Sequence, residues 1–372
     1  MKYDYLIVGA GFSGAVLAER LANTGKKILI LDRRDHIGGN CYDYKDANGI
    51  TLHQYGPHIF HTKIKRVWDY MSRFTAWHQY FHRVLAVVEG RPVTVPFNLD
   101  SIRELFPASL AERLEHLLLD KFGYGEKIPI LKLMEEDNKD LKFLADYIYK
   151  HVFLGYTVKQ WDLKPEDLDF SVSARIPVYV SRDDRYFQDQ YQGIPAEGYT
   201  AVFNKIIDHE NIELRLNQDF KALGDEVQYD KLIFSGTVDS YFDYKLGKLP
   251  YRSLRFNFRT IDKEYFQSVA QVNYPNNYDF TRITEFKHFL EEKSDKTTIA
   301  EEYSQKFIDG ENEPYYPIPS DETAAIYAKY QAEAEKLKGK VYFIGRLGRY
   351  RYLNMDQTID EALDLFAEIL RP

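Results

Sequence analysis

The hydrophobic pattern opens at the first residues. Tyr5-Leu6-Ile7-Val8 is a short apolar run, Ala15 to Asn23 repeats with helical period, and Lys27 to Leu31 is a second apolar run. That order predicts strand, helix, strand. Two segments rich in β-branched residues, Arg83–Val88 and Val93–Phe97, flank Gly90-Arg91-Pro92 and predict a hairpin turning there. From Asn98 to about Lys159 the texture becomes helical. Ser101-Ile102-Arg103-Glu104 offers a cap, Leu110, Leu114, Leu117 and Leu118 fall on one face, and Leu141, Leu144, Ala145, Ile148 and Val152 on another. Short extended segments are expected from about Phe170 to Arg185, and several short aromatic-rich strands from 251 to 304. Tyr229–Phe234 reads as a buried strand ending in a Ser235-Gly236 turn. Val341–Ile344 reads as another, running into Gly345-Arg346, with a helix from about Gln357.

Between the first strand and helix lies Gly9-Ala10-Gly11-Phe12-Ser13-Gly14, and the second strand ends on Asp32. Gly9 permits the tight turn, and Gly11 lets backbone approach a pyrophosphate at the helix N-terminus. Gly14 lets helix and strand pack closely, and Asp32 can accept hydrogen bonds from an adenosine ribose. Phe12 and Ser13 complete the turn. A glycine-rich turn in an ordinary βαβ unit explains the glycines but not the acid, so a bound dinucleotide is expected. The motif does not separate NAD from FAD. Past the acid, Arg33-Arg34-Asp35-His36-Ile37-Gly38-Gly39-Asn40 runs into a second glycine turn, which resembles the start of the FAD family of glutathione-reductase and amine-oxidase type. A second Gly pair brings backbone to the same ligand twice, which a nicotinamide site does not need. FAD is the expected cofactor, with Arg33 and Gly39 beside it.

Composition adds bounds. A chain of 372 residues accommodates two or three domains. It holds 30 Tyr and 24 Phe, and tyrosine suits sugar and nucleotide surfaces, although most such rings simply fill cores. A net charge of −8 argues against general nucleic-acid affinity. The lone Cys41 excludes an intrachain disulfide framework and fits a reducing compartment. Met1-Lys2-Tyr3-Asp4 runs straight into the first strand without a signal peptide, and no apolar stretch approaches the roughly 18 residues of a spanning helix. A cytoplasmic protein without a metal site is expected. A dinucleotide domain that opens at residue 1 and closes with a strand–helix unit at the C-terminus must be discontinuous. The expected fold is α/β, with a discontinuous Rossmann-like FAD-binding domain over 1–80, 195–245 and 325–372. Inserted in it are a helical domain over 98–165 and an antiparallel β-sheet substrate domain over 81–97, 166–194 and 246–324.

Several further stretches are distinctive: Gly56-Pro57-His58-Ile59-Phe60-His61-Thr62, Gly155-Tyr156-Thr157-Val158-Lys159-Gln160-Trp161, and Ser173-Ala174-Arg175-Ile176-Pro177-Val178. Tyr186-Phe187, Asn273-Tyr274-Pro275, Thr281-Arg282-Ile283-Thr284-Glu285, Pro314-Tyr315-Tyr316-Pro317-Ile318 and Gly345-Arg346-Leu347-Gly348 through Tyr352-Leu353 follow. In their order and spacing, from residue 3 to 366, the chain resembles the bacterial UDP-galactopyranose mutase family, flavoenzymes that interconvert the pyranose and furanose forms of UDP-galactose. The resemblance implies that Tyr156, with Phe153 and Thr157 nearby, holds the uracil, with Asn273 close by. It makes Arg175 and Arg282 a diphosphate clamp, since guanidinium forks bond phosphate oxygens bidentately. Tyr186, Tyr316 and Tyr352 would donate hydroxyls to the same phosphates, and Trp161 and His82 would border the sugar. Around the flavin it implies Asp32 and Asn40 at the adenosine end and Arg346 at the pyrophosphate. Leu353, Asn354, Met355 and Thr358 would lie at the isoalloxazine, where a helix N-terminus favours negative charge on a reduced ring. His58 and Ile59 would face the flavin from the other side. A loop from Leu168 to Val180, carrying Arg175, would close over substrate. His61, Asp183 and Asp184 receive no role. Asn354 stands where the resemblance leads one to expect an acid, and Leu154 and Val152 replace residues that are commonly Lys and Phe.

Ring contraction requires breaking the anomeric C–O bond to UDP, opening the pyranose and reclosing it through a different hydroxyl. No carboxylate pair or Cys/Ser–His arrangement in the sequence supplies that chemistry. The resemblance implies reduced FAD, its N5 attacking the anomeric carbon while UDP leaves into the clamp, with Arg175, Arg282 and His58 as the catalytic set. It also implies UDP-galactose and a reductant as partners and a homodimer, with neither nucleic acid nor membrane involved. Two alternatives stay open: an FAD-dependent oxidoreductase of the amine-oxidase type, and a non-catalytic UDP-sugar-binding or flavin-storage protein.

Overall fold

The computed structural model describes residues 2–162, 177–224, 227–318 and 320–371. The two N-terminal apolar runs form strands Lys2–Val8 and Ile28–Leu31, joined by helix Phe12–Ala22. They belong to a parallel sheet whose spatial order is Ile212–Arg215, Ile28–Leu31, Lys2–Val8, Gln228–Phe234, Val341–Phe343. By chain position that order is the Rossmann one, 3-2-1-4-5. Helices lie against the sheet, and all four residues Ile28-Leu29-Ile30-Leu31 are buried, which is why that strand shows no polar alternation. Helices Phe12–Ala22, Tyr199–Ile207 and Met355–Ile369 pack into one apolar core on the sheet. The last helix starts earlier than expected because Gln357 Oε1 accepts the Asn354 N–H at 2.9 Å and fixes the first turn there.

A seven-stranded sheet runs in the order Tyr316–Pro317, Tyr251–Ile261, Thr297–Lys306, Arg282–Glu285, Gln271–Asn273, Val84–Val88, Arg91–Val95. Every neighbouring pair is antiparallel except Gln271–Asn273 with Val84–Val88. The expectation of several short strands between 251 and 304 holds only for its middle. Tyr251–Ile261 and Thr297–Lys306 are 11 and 10 residues long, and the polar residues of their exposed halves, such as Arg255, Asn257 and Arg259, interrupt the apolar pattern without ending the strands. The hairpin also turns earlier than its Gly90-Arg91-Pro92 sequence indicated. Glu89 and Gly90 form a two-residue turn with φ of 49° and 78°, and Pro92 sits in the edge strand, where no ladder N–H is needed.

The helical segment starts at Asn98 as expected, but its cap is Asn98 and not Ser101. Asn98 Oδ1 accepts the Ser101 N–H at 3.0 Å while Ser101 Oγ accepts the Asn98 N–H at 2.9 Å, a reciprocal box with Ser101 as the third helical residue. Helices Ala108–Phe122 and Lys139–Ile148 bury the two leucine faces together with Val152 and Phe153. A π-helical turn, Tyr149–Leu154, leads into helix Gly155–Trp161. Tyr191–Pro195 pairs with Phe60–Thr62 and Trp77–His78, and Val178–Tyr179 pairs with Lys127–Ile128. Residues 163–176, and with them Arg175 and most of the Leu168–Val180 loop, lie outside the described residues.

Candidate active site

A cavity of about 530 Å³ opens where the parallel strand order reverses, at the carboxyl ends of Lys2–Val8, Ile28–Leu31 and Gln228–Phe234. Its floor is the glycine turn. Gly9 has φ of +103°, and a Cβ there would lie 2.1 Å from Ser235 Oγ, which itself donates to the Val8 carbonyl at 2.7 Å. Gly14 stands behind the wall, where a Cβ would lie 2.0 Å from the Gly9 carbonyl oxygen. The second glycine turn packs on the first: Gly38 N–H donates to the Ala10 carbonyl at 2.9 Å, and a Cβ on Gly39 would come within 3.2 Å of Gly11 Cα. Asp32 braces both turns, accepting the Ala10 N–H at 2.8 Å and the Arg34 N–H at 3.0 Å. Each carboxylate oxygen keeps a lone pair for a ribose hydroxyl.

Thirteen of the sixteen expected cofactor residues line this cavity: Gly9, Gly11, Phe12, Ser13, Asp32, Arg33, Gly39, Asn40, His58, Arg346, Leu353, Met355 and Thr358. Gly14 supports the turn from behind, Ile59 faces a core formed with Ile50, Leu52 and Phe286, and Asn354 begins the helix whose Met355 and Thr358 reach the wall. A glycine cradle, an acid at the end of the second strand and an arginine facing the space are the donor set that a dinucleotide pyrophosphate and ribose require, and FAD fits it. Cys41 also lines the wall, and burial pushes its thiol up to about 12, so it stays protonated.

Arg346 joins this cavity to a second cluster. Its guanidinium donates to the Tyr315 carbonyl at 3.2 Å and the Leu353 carbonyl at 2.6 Å, and among the described residues no carboxylate lies within ion-pair distance. Its Cζ lies 5.0 Å from the ring centres of both Tyr316 and Tyr352, which stack on each other at 5.3 Å and 8°. Trp161 closes on the pair at 6.0 and 6.5 Å. Burial pushes the phenols of Tyr156 and Tyr316 up, so both are hydrogen-bond donors at neutral pH. Arg282 acts electrostatically on both, and Tyr186 on Tyr156.

Arg282 is gripped from below. Its Nε and Nη2 each lie 2.7 Å from Glu302 Oε2, and its Nη1 lies 3.4 Å from Gln271 Oε1. Burial pulls this guanidinium down, but the Glu302 carboxylate together with the Tyr156 and Tyr316 phenols holds the pKa above the ordinary arginine value. Gln271 also donates to Asn273 Oδ1 at 3.1 Å, which ties the expected uracil-side residue to the clamp arginine. His82, fully buried beside Tyr186 at 5.7 Å, is pushed down to about 3 by burial, with Arg282 adding to the shift. His58 is likewise pushed down to about 3 by burial, then by His53. Its Nδ1 donates to the Gly56 carbonyl at 2.8 Å, which leaves Nε2 as a lone-pair acceptor. Phe153 lies in the helical core, while Thr157 shares its helix with Tyr156 and Trp161.

Three participants escaped the sequence reading. Glu302 pairs with Arg282, His53 Nδ1 accepts the His58 N–H at 3.0 Å, and Glu313 accepts from Arg33 and Arg34 across the cavity. Glu302 had a faint signal, since strand alternation puts it on the same side as Ala300; the other two depend on partners that only the fold supplies.

Fold and site together define a dinucleotide-binding protein of the Rossmann class, its cavity adjoining a cluster of arginines and tyrosines on an antiparallel sheet. The family model described as UDP-galactopyranose mutase matches residues 151–352, and one described as an NAD(P)-binding Rossmann-like domain matches residues 7–74. The probable UDP-galactopyranose mutase of Klebsiella pneumoniae is 40% identical over 371 residues, 99% of this chain and 94% of that protein. A dTDP-fucopyranose mutase of Escherichia coli is 37% identical over 366 residues, 96% of each. The UDP-galactopyranose mutase of Mycoplasma pneumoniae is 32% identical, covering 100% of this chain and 97% of that protein. A solved structure of reduced UDP-galactopyranose mutase superposes with a TM-score of 0.75 at 17% identity, covering 99% of this chain and 95% of that one; at that identity it speaks for the fold. The chain belongs to the UDP-galactopyranose mutase family and is an isomerase. Among the described residues no helix is long and apolar enough to cross a membrane.

Proposed function

We propose that the chain is a flavin-dependent, redox-neutral mutase that interconverts UDP-galactopyranose and UDP-galactofuranose. The observation that carries this reading is Arg346, which lines the dinucleotide cavity and at the same time lies against Tyr316 and Tyr352. On this reading one residue serves both the flavin site and the nucleotide-sugar site, as a reaction between the two ligands requires. The chemistry that bound, reduced FAD supplies is a nucleophilic N5 for the anomeric carbon.

This chain's own residues bind and orient. Arg282, kept charged by Glu302, stabilises the diphosphate as the bond to the sugar breaks, with Arg175 as its proposed second arm. Tyr156 and Tyr316 keep their phenolic protons and can donate to phosphate oxygens. Trp161 and His82 border the hexose, and neutral His82 adds no charge that would compete for the diphosphate. His58 lines the cavity with its Nδ1 committed to the Gly56 carbonyl, so its Nε2 is the nitrogen left to accept from a hydroxyl or N–H.

The test is to reduce the protein with dithionite without oxygen and add UDP-galactofuranose. Formation of the pyranose without flavin reoxidation is expected. Turnover that consumes oxygen or NAD(P)H in proportion to product would indicate an oxidoreductase, and UDP binding without conversion would indicate a binding protein.

A second reading of the substrate rests on the Escherichia coli relative that acts on dTDP-fucopyranose. Such a substrate differs from UDP-galactose by a base methyl, a missing ribose hydroxyl and a missing sugar 6-hydroxyl. Comparison of kcat/KM for the two nucleotide sugars decides between them, and UDP-galactose is expected to be preferred.

A further inference from the structure

The segment Phe307–Tyr315 connects strand Thr297–Lys306 to Tyr316–Pro317, and both of its ends stand on the same neighbouring strand. The Phe307 N–H donates to the Tyr251 carbonyl at 3.2 Å, and the Tyr315 N–H to the Arg252 carbonyl at 2.9 Å. Adjacent residues of strand Tyr251–Ile261 thus hold the two feet, and the nine residues form a compact Ω-loop. The loop holds its own shape: the Ile308 N–H donates to Asn312 Oδ1 at 2.9 Å, and Asn312 Nδ2 to the Lys306 carbonyl at 3.1 Å.

Its foot and tip differ in chemistry. Phe307 packs into the apolar cluster of Val238, Leu249 and Tyr251. The tip makes polar contacts with the parallel-sheet side. Glu313 Oε2 accepts from Arg33 Nη2 at 2.5 Å and from Arg34 Nη2 at 2.8 Å, and Asp309 Oδ2 accepts from the Tyr244 hydroxyl at 2.7 Å, with Lys248 Nζ at 3.6 Å. Loop and partners line the same cavity, Asp309 and Glu313 from one side and Arg33, Arg34 and Tyr244 from the other. Arg34 is already fixed by Asn40 at 3.0 Å and by the face of Tyr55 at 4.3 Å, so one half of the catch is rigid. The Arg33–Glu313 and Lys248–Asp309 pairs are half-exposed and weak, and only Arg34–Glu313 is largely buried, so a few polar contacts hold the tip where apolar packing holds the core.

We propose that Phe307–Tyr315 is a cofactor latch. It is a loop hinged at Tyr251 and Arg252 that closes the dinucleotide cavity, and its catches, Glu313 and Asp309, set how fast the dinucleotide leaves. The proposal rests on the reading of this cavity as the FAD site. A loop that merely joined two strands would have no reason to place two of its three acids, Asp309 and Glu313, on cavity-lining partners.

The test dilutes the FAD-loaded protein into an excess of an unrelated apoflavoenzyme as trap and follows the activity that the trap regains as it captures released FAD. The double variant Asp309→Asn/Glu313→Gln is expected to release FAD about tenfold faster, while its bound-flavin absorption spectrum is unchanged. Added salt should speed release from the wild-type protein and have little effect on the double variant, because the screened pairs are then absent. Equal release rates with the same salt response overturn the latch. Should the double variant not fold, Tyr244→Phe, which removes only the hydroxyl that Asp309 accepts from, must still accelerate release, and an unchanged rate there overturns it equally. Wild-type protein that takes up no FAD at all removes the reading of the cavity and the latch with it. FAD that binds and leaves at a rate indifferent to these substitutions removes the latch alone.

Discussion

Arg282 cannot be judged by a single substitution, because two of its nitrogens are committed to a carboxylate that is 1% exposed. Arg282→Ala strands Glu302 as a buried unpaired charge, at a cost of about 3–5 kcal/mol in stability. Adding Glu302→Gln should recover most of that loss in a urea titration while UDP affinity stays at least about tenfold weaker, the share that belongs to the charge-assisted bond. Recovery of both together would show that Arg282 only supports the fold. The buried histidines make a separate prediction. His53, His58 and His82 are each pushed down to about 3 by burial, against about 6.5 in an unfolded chain. Above pH 6.5 both states are neutral and no penalty exists. As pH falls from 6.5 toward 3, only the unfolded chain takes up these protons, so stability must decline with acidification. At pH 5 the loss is on the order of 2 kcal/mol per histidine, and His53→Gln should flatten the decline in urea midpoints measured between pH 7 and 5. A wild-type profile flat over that range would contradict the burial of these rings.

Helix Leu99–Leu105 hangs on one cap, Asn98, itself 1% exposed and bonded reciprocally to Ser101. Asn98→Ala should cost about 1–2 kcal/mol in the urea midpoint, and Asn98→Asp much less, since the acceptor remains. The sequence placed that cap at Ser101 because Ser followed by Glu104 looks like a helix start; the reciprocal bond shows Ser101 to be the inner half of the box. Elements were legible where their burial is uniform. Ile28–Leu31 is buried on both faces and reads as an unbroken apolar run, and Leu114, Leu118, Leu144 and Ile148 repeat at helical spacing into one core. Legibility failed where one face of a strand meets solvent, as along Arg255, Asn257 and Arg259, and where a turn is set by φ, as at Glu89-Gly90. The cofactor cradle was readable because Gly9 through Asp32 is a contiguous βαβ unit. Glu313 was not, since its meaning comes from Arg33 and Arg34, which lie in a distant part of the chain and only the folded sheets bring near.

At the scale of the molecule the parallel sheet presents a dinucleotide cavity at its switch point, the antiparallel sheet presents Arg282, Gln271 and Asn273, and Arg346 stands between them. Arg346 belongs to the parallel-sheet side by sequence, following strand Val341–Phe343, yet its guanidinium rests on Tyr316 and Tyr352 and bonds the Tyr315 carbonyl of the opposite sheet's connection. A cation so placed, with carbonyls but no carboxylate among its described partners, keeps charge available to both ligands. Two substitutions should therefore separate. Arg346→Ala is expected to weaken FAD and UDP together, each by about tenfold or more, because it removes a charge-assisted donor from the cavity and the support beneath the tyrosine pair. Arg282→Ala in the Glu302→Gln background should weaken UDP and leave FAD affinity within about twofold, because Arg282 is not part of the cavity wall. Equilibrium titrations of both ligands on both variants provide the measurement. If Arg346→Ala moved FAD and left UDP untouched, the two sites would be neighbours without a shared residue, and the link on which the mutase reading depends would be gone.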